Sequence, residues 1–541
     1  MAKSQVHEPE AGEVQEWREE GVRNTSLLAN WRIILVTLYV GMSLFEYGYD
    51  KGAIAGFQAM NGFLMVFGYQ TDEGAWAIAP GPQRIISSFV TLGAFVGALI
   101  TGPIGAWLSR RYSIMMACTF LIVAIAIMAE TTSFGALYFS RLLCGLANGI
   151  LMNFALVYLQ ECTPPYLRGL CFGVATFWIT LGSTIGMVVN NFTEHMHSRM
   201  AYQIPLYVCF PIPALLVLTM PFLPESPRWL LHRNRPEEAL KSLRFFRKGA
   251  YDEVAVLQEF EEMKLVAARE AETDKDWRLM LELFRGTNLR RTIVSVGVTS
   301  ANAGVGAMFI LSFGTYFLKV AKVGDPFMWT IVSNSMGLFG LILSWFAIER
   351  LGRRRLIIAS CLICSFSMLL IAAAYTSPSL STHQAGTALI VGMSLYLFGF
   401  NFGLEPYAFL TSGELPAQNL RAYTLGLSVA VSFVLAWACT FTAPYFINPA
   451  EMNWGAKYSW IWFVSGLIST VFIYFLLPDV KGRSLEEIDE MFRNKVSRRG
   501  FKTYVCAEME QARSQGAVIA LGKEKDHQED QPVETHVENA K

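Results

Sequence analysis

Five ionisable side chains stand out because apolar residues surround them: Glu46, Asp50, Glu130, Arg141 and Glu405. Glu46 and Asp50 are four residues apart in LFEYGYDKG. On a helix that spacing sets both carboxylates on one face, about 6 Å apart. In a low dielectric two such groups repel and do not readily ionise together. Arg141, in a separate apolar run, is the natural counter-ion. A carboxylate that alternates between an arginine and a proton can link protonation to conformation, whereas a permanent pair only fastens two segments together. Both readings are open at this level. Glu405, just before Pro406, reads either as an acceptor for hydroxyl groups or a second proton site, or as a helix-break residue bonded to backbone. Glu130 ends its apolar run and reads as solvated. No nucleophile–base pair or cluster of metal ligands recurs on one face, so neither an enzyme nor a metal or cofactor is expected. Cys361 and Cys364 form a C-x-x-C, but inside an apolar run without further ligands.

The elements that hold these groups follow from charge segregation. The chain has 541 residues, with 44 Lys+Arg against 44 Asp+Glu and only 16% charged residues, while apolar types reach 53%. A compact soluble domain needs a wetter exterior, and a neutral total lacks the basic surplus of a nucleic-acid binder. Of the charged side chains, 61 fall in residues 1–32, 225–291 and 478–541. Two apolar blocks remain, 33–224 and 292–477. A helix crosses a bilayer with about 20 apolar residues, so each block holds six. They are expected near 33–54, 84–107, 113–130, 135–159, 170–192 and 203–223, then near 292–318, 327–348, 355–375, 385–412, 422–445 and 458–477. The fold class is therefore an all-α membrane protein of twelve spans in two pseudo-symmetric six-helix bundles. The tails 1–32 and 478–541 and a helical linker, 225–291, lie outside them. The linker reads as amphipathic helices forming a lid, and residues 505–541 as a disordered tail. More basic residues in the short loops of the termini's side places both termini and the linker in the cytoplasm.

The blocks repeat. Glu161, Leu167 and Arg168 in ECTPPYLRG recur as Glu414, Leu420 and Arg421 in ELPAQNLRA, and LSRRYS after the second span answers ERLGRRR after the eighth. Tandem halves of one orientation are an architecture of secondary transporters, with the solute between the halves near mid-membrane.

On GYDKGAIAGF (48–57), SRLLCGLANG (140–149), PESPRWLL (224–231), ERLGRRRL (349–356), ELPAQNLRA (414–422) and GRSLEEIDEMF (482–492), the chain resembles the sugar porter family of the major facilitator superfamily. APYFINPAEMNWGAKYSWIW (443–462) is similar to fungal members that carry hexoses, disaccharides or related polyols and acids. The resemblance implies proton coupling by Asp50 paired with Arg141, with Glu46 beside them. The family's solute-gripping positions fall on Thr176, Ser183 and Phe409; Asn302, Asn401 and Glu405 join the candidate substrate site as polar residues on helices seven and ten, Glu405 standing where the family commonly has glycine before proline. The resemblance also implies a cytoplasmic gate at Glu161, Arg168, Glu225, Arg228, Glu349, Arg353, Arg354, Glu414 and Arg421, read as turns of opposite charge (Glu161 with Arg168, Glu225 with Arg228, Glu414 with Arg421). The sequence departs from the family pattern: Ser109 stands at a usual aspartate, Thr176, Ser183, Ser300 and Ala301 at glutamines, Gly306 at an asparagine and Phe409 at a tryptophan. Asn190 and Asn191, and the rings of Trp178, Tyr316, Tyr396, Tyr407 and Trp437, are further candidates to face the pathway. The expectation is a proton-coupled carrier of a sugar or sugar-like solute, working by alternating access as a monomer in a plasma membrane, with no nucleic-acid partner. A uniporter, a carrier of a quinate-like acid and a non-transporting sensor are the alternatives.

Overall fold

The computed structural model describes residues 26–504 and Cys506, apart from 71–75, 165, 274–278, 321–323, 378–380, 418–419, 449–450, 482, 484 and 498–499. The far parts of both expected tails, 1–25 and 507–541, lie outside the described residues.

Six long helices form the first half: α1 (Trp31–Phe57), α2 (Pro80–Trp107), α3 (Arg110–Glu130), α4 (Phe134–Cys162), α5 (Arg168–Thr193) and α6 (Met200–Phe222). Six form the second: α7 (Gly286–Gly304 continued by Ala307–Val320), α8 (Pro326–Leu351), α9 (Arg353–Thr376), α10 (Thr382–Gly399, a π turn Phe400–Leu404, then Glu405–Glu414), α11 (Arg421–Ile447) and α12 (Ser459–Leu476). Eleven are long and apolar enough to cross a membrane. The remaining one, α1, has 27 residues, but Arg32, Glu46, Asp50 and Lys51 dilute its apolar character. Helices suit this composition because each satisfies its own backbone where no water is available.

The repeat is visible in the packing. α1 runs along α5, α2 along α4, and α3 against α4 and α6; in the second half α7 runs along α11, α8 along α10, and α9 against α10 and α12. Each half has its own apolar core. The halves meet where α2 touches α11 and where α5 touches α8. Exchanging the halves turns one of these seams into the other, which is the signature of a pseudo-two-fold axis.

Glycines set the close seams of the first half. Gly48 and Gly52 of α1 lie on the backbone of Ile179 and Ser183 of α5, and Gly145 and Gly149 of α4 on Val90 and Ala94 of α2. A methyl group has no room there, so small residues let the backbones approach. The first half has one interruption, at Cys209–Phe210 within α6, and the second half contains two breaks. α7 stops at Gly304 and restarts after Gly306, whose φ of 84° suits glycine. The freed Val305 carbonyl accepts the Tyr396 hydroxyl at 3.1 Å. In α10 the wide turn at 400–404 is held from α9. The Ser360 hydroxyl donates to the Gly399 carbonyl and accepts the Leu404 N–H, the latter at 3.0 Å.

Two appendages dock on one face. Helices Pro227–His232, Pro236–Arg247 and Glu253–Thr273 share a core of Leu230, Leu243, Val256 and Phe260. Buried Arg247 grips Glu259 with two bonds, at 2.6 and 2.8 Å, and donates to the Cys162 carbonyl at the end of α4 at 2.8 Å. This linker therefore rests on the first half. The helix Leu485–Arg493 rests on the second, through Asp489 to Arg291 of α7 at 2.5 Å.

Candidate functional site

Asp50 and Arg141 meet. Arg141 Nη1 donates to Asp50 Oδ1 at 2.6 Å, and its Nε donates to the Ile86 carbonyl of α2 at 3.3 Å. Arg141 is 3% exposed and Asp50 8%. Three helices converge here: the glycine seam between α2 and α4 brings the Ile86 carbonyl within reach of Arg141, and Asp50 meets it from α1. Glu46, one turn earlier on α1, is 2% exposed, and its Oε1 has no hydrogen-bond partner among the described residues. Glu46 and Asp50 line one small cavity with Leu121, Ile125, Cys144 and Cys209, which has room for about one water molecule. The expected trio thus forms one cluster: a closed pair with a partnerless carboxyl oxygen behind it. A charge so deep costs on the order of 2.5–3.5 kcal/mol on insertion scales, and the arginine offsets that cost at Asp50 alone.

The expected substrate residues separate into four groups. Ser183 and Asn401 join the halves: Asn334 of α8 donates to the Ser183 hydroxyl at 3.3 Å, and the Thr180 hydroxyl of α5 donates to the Asn401 carbonyl oxygen at 3.0 Å. Asn302 is buried with neither amide atom partnered among the described residues, while Phe409 is half-buried against the core of the first half. Thr176 returns its hydroxyl to its own helix, at Phe172 and Gly173. Glu405 is half-buried at the start of the last part of α10 and faces Lys51 of α1 across the junction, close enough for their charges to interact. Of the other candidates, Asn190 does not face a pathway: its amide donates to the carbonyls of Gly52 and Ala53 and so ties α5 to α1.

On the appendage face the ion pairs differ from the turn-by-turn pairing read from sequence. Glu161 takes Arg110, with bonds of 2.9 and 3.1 Å, rather than Arg168, which opens α5. Glu225 lies 3.5 Å from Arg111, not paired with Arg228, which joins none of the described ion pairs. Glu414 takes Arg353 at 3.0 Å. The physical reason is reach: the basic turn after the second helix of each half lies beneath the end of the fourth. Arg110–Glu161 and Arg353–Glu414 are therefore the same contact in the two halves. Arg354 donates to the Tyr474 carbonyl at 2.9 Å. The side chains of Glu349 and Arg421 lie outside the described residues. Burial pushes the Glu225 carboxyl above its ordinary value, more than Ser109, the Ser226 amide and Arg111 pull it down.

Sequence reasoning passed over Lys51, Thr180 and Asn334, and took Arg110 and Arg111 only as markers of sidedness and of the repeat. Lys51 had a visible signal, a second charge beside Asp50 in an apolar run. Thr180 and Asn334 had none, because their partners belong to the other half.

Twelve helices in two related bundles, a buried charge cluster and a polar junction between the halves define a multi-pass transporter of the major facilitator fold. The family model described as "Sugar (and other) transporter" matches residues 36–492, and the chain belongs to that family. Among curated relatives, the major facilitator-type transporter ecdD of Aspergillus rugulosus is 28% identical over 475 residues, covering 85% of this chain and 87% of that protein. The alpha-glucosides permease MPH3 of Saccharomyces cerevisiae is 27% identical, covering 86% and 78%. Among solved structures, the proton:xylose symporter XylE bound to 6-bromo-6-deoxy-D-glucose superposes with a TM-score of 0.70 at 20% identity, covering 85% of this chain and 99% of that one. The inward-open xylose transporter XylE from E. coli gives 0.66 at 19%, covering 84% and 99%. Both superpositions establish the fold.

Proposed function

We propose that the protein takes up a sugar or sugar-like solute together with a proton, by alternating access, as a monomer in a plasma membrane with both termini cytoplasmic. The observation that carries this reading is the Asp50–Arg141 pair with Glu46 behind it, one of whose carboxyl oxygens has no partner among the described residues. A proton arriving at Asp50 releases Arg141 and changes how firmly α1 is held to α4. That couples protonation to the half that must move. Glu46, on the same small cavity, is the second carboxyl through which the proton passes or waits. Inward movement of one charge releases about 2.3 kcal/mol per 100 mV, which drives accumulation. The name of XylE as a proton:xylose symporter and of MPH3 as an alpha-glucosides permease supports both the coupling and the solute class. The solute binds between the halves, among Ser183, Asn302, Asn401, Glu405 and Phe409, with Thr176 on the wall. Alternation breaks the Thr180–Asn401 and Asn334–Ser183 bonds. The charged turns at Glu161, Arg168, Glu225, Arg228, Glu349, Arg353, Arg354, Glu414 and Arg421 form the cytoplasmic gate, their pairs bracing each half as a unit.

Uptake into proteoliposomes under an imposed proton gradient is the test. Accumulation is expected to collapse with a protonophore, and Asp50→Asn is expected to lose accumulation while keeping solute exchange. Uptake indifferent to the protonophore and to Asp50→Asn leaves a uniporter instead, in which Asp50–Arg141 only fastens α1 to α4.

A further inference from the structure

Lys51 follows Asp50 in the chain but has no part in the arginine pair. Its ammonium lies 4.1 Å from the centre of the Tyr47 ring, one turn back on α1. It is half-buried, and among the described residues it makes no ion pair within contact distance. Its charge instead interacts across the junction with Glu405, which belongs to the other half. The depth is fixed by the neighbouring glycines: Gly48 and Gly52 flank Lys51 and abut Ile179 and Ser183. Lys51 is therefore level with Thr180 and Ser183, whose hydroxyls bond to Asn401 and Asn334. Asn401 is one turn before Glu405 on α10. A cation, two amides and two hydroxyls thus lie at one level of the junction, with the Glu405 carboxylate one turn further along α10 and near enough for its charge to act on Lys51.

The cation and the carboxylate are carried by different halves. When the halves part to admit a solute, Glu405 draws away from Lys51, and the ammonium is left with the Tyr47 ring and an Asp50 already neutralised by Arg141. Arg141 cannot redistribute charge to the site, since Asp50 occupies it. A ligand with its own carboxylate supplies the missing anion, and its hydroxyls donate to Glu405 and exchange bonds with Asn334 and Asn401. A neutral sugar offers only the second half of that match.

We infer that Lys51 and Glu405 form a two-ended recognition site for a polyhydroxylated carboxylate, with the acid group on Lys51 and the hydroxyl groups on Glu405. The inference rests on the reading of the protein as a carrier of sugar-like solutes and narrows the solute to sugar acids and cyclic polyhydroxy acids.

The test uses the full-length protein in lipid nanodiscs, with gluconate and quinate as acids, glucose and glucitol as neutral counterparts, and quinate methyl ester as the uncharged form of one acid. Binding is read by calorimetry and transport in proteoliposomes. Gluconate and quinate are expected to bind roughly 10- to 100-fold tighter than glucitol and the ester, the usual range for a hydrogen bond to a charged group. Lys51→Met is expected to abolish that preference, and Lys51→Arg to retain most of it. The ester comparison needs no variant, so it holds even where Lys51→Met fails to fold. Neutral sugars bound and transported while the acids are not, or Lys51→Met weakening glucose and gluconate alike, overturns the inference and leaves the carrier reading intact. If no compound of either class binds or is transported, the carrier reading fails and the inference falls with it.

Discussion

The two halves share a fold but not an interior. The first half encloses charge: Glu46, Asp50 and Arg141 lie within α1 and α4, and glycine seams hold the surrounding helices backbone to backbone. The second half is joined by neutral hydroxyls. Thr299 of α7 donates to the Ser428 carbonyl of α11 at 3.2 Å, the Ser432 hydroxyl donates back to the Thr299 carbonyl at 3.2 Å, and Ser344 meets Tyr407 at 3.2 Å. Among the described residues the second half has the breaks in α7 and α10, while the first half has a single one, at Cys209–Phe210 in α6. Equal helix packing therefore supports two kinds of work. A buried ion pair has two distinct states set by one proton, and its rigid frame keeps them distinct. Hydroxyl bonds and interrupted helices exchange partners at small cost, which, under the proposed mechanism, suits the second half to adjusting around a solute.

The largest expected effect comes from removing the charge balance of the first half. Arg141→Gln leaves Asp50 buried and unpaired and is expected to cost about 3–5 kcal/mol, seen as a lowered thermal transition in detergent and loss of uptake. If the variant is as stable as the parent, the contrast between the halves is wrong. Asp50→Asn in the Arg141→Gln background is expected to restore much of the thermal transition without restoring accumulation, since it removes the orphaned charge but not the need for a proton. A smaller loss is expected in the second half. Ser360→Ala removes both bonds to the wide turn of α10 and should cost about 1–3 kcal/mol. Solute affinity is expected to weaken as well, because that turn orients Asn401 and Glu405. Unchanged affinity would show that the break in α10 is only structural.

The smallest effects have opposite signs in the two halves. Burial raises the Glu225 carboxyl above its ordinary 4.5, so its contribution to stability is full below that value and declines as pH rises through the raised one. Burial also acts to raise Asp489, but bonds from Arg291 and Arg493 outweigh it and hold that carboxyl below its ordinary 3.8. Its contribution is full above 3.8 and is lost as pH falls through the lowered value. Hydrogen exchange is expected to show protection around 223–232 weakening above pH 4.5, and protection of Leu485–Arg493 weakening below pH 3.8.

The spans were legible in the sequence because bilayer depth forces apolar runs of one length, and each expected span lies on an observed long helix. The Asp50–Arg141 contact was legible for a related reason: a charge at that depth needs a partner, and few were available. The wide turn of α10 was not legible, since it depends on Ser360 from a different helix. The partners of Glu161 and Glu225 were misread because spacing within one loop says nothing about which loop lies beneath it. Lys51 was passed over because its counter-charge is some 350 residues away in the chain, and only the assembled halves bring it near.

The two appendages have a consequence for observing the protein at work. Arg247 clamps one to the underside of α4, and Asp489 clamps the other to the root of α7. Each is a pointer fixed to its own half. A dye on the Glu253–Thr273 helix and another on Leu485–Arg493 would convert the proposed rocking of two buried bundles into a distance readable in water, one turnover at a time, without a label inside the lipid.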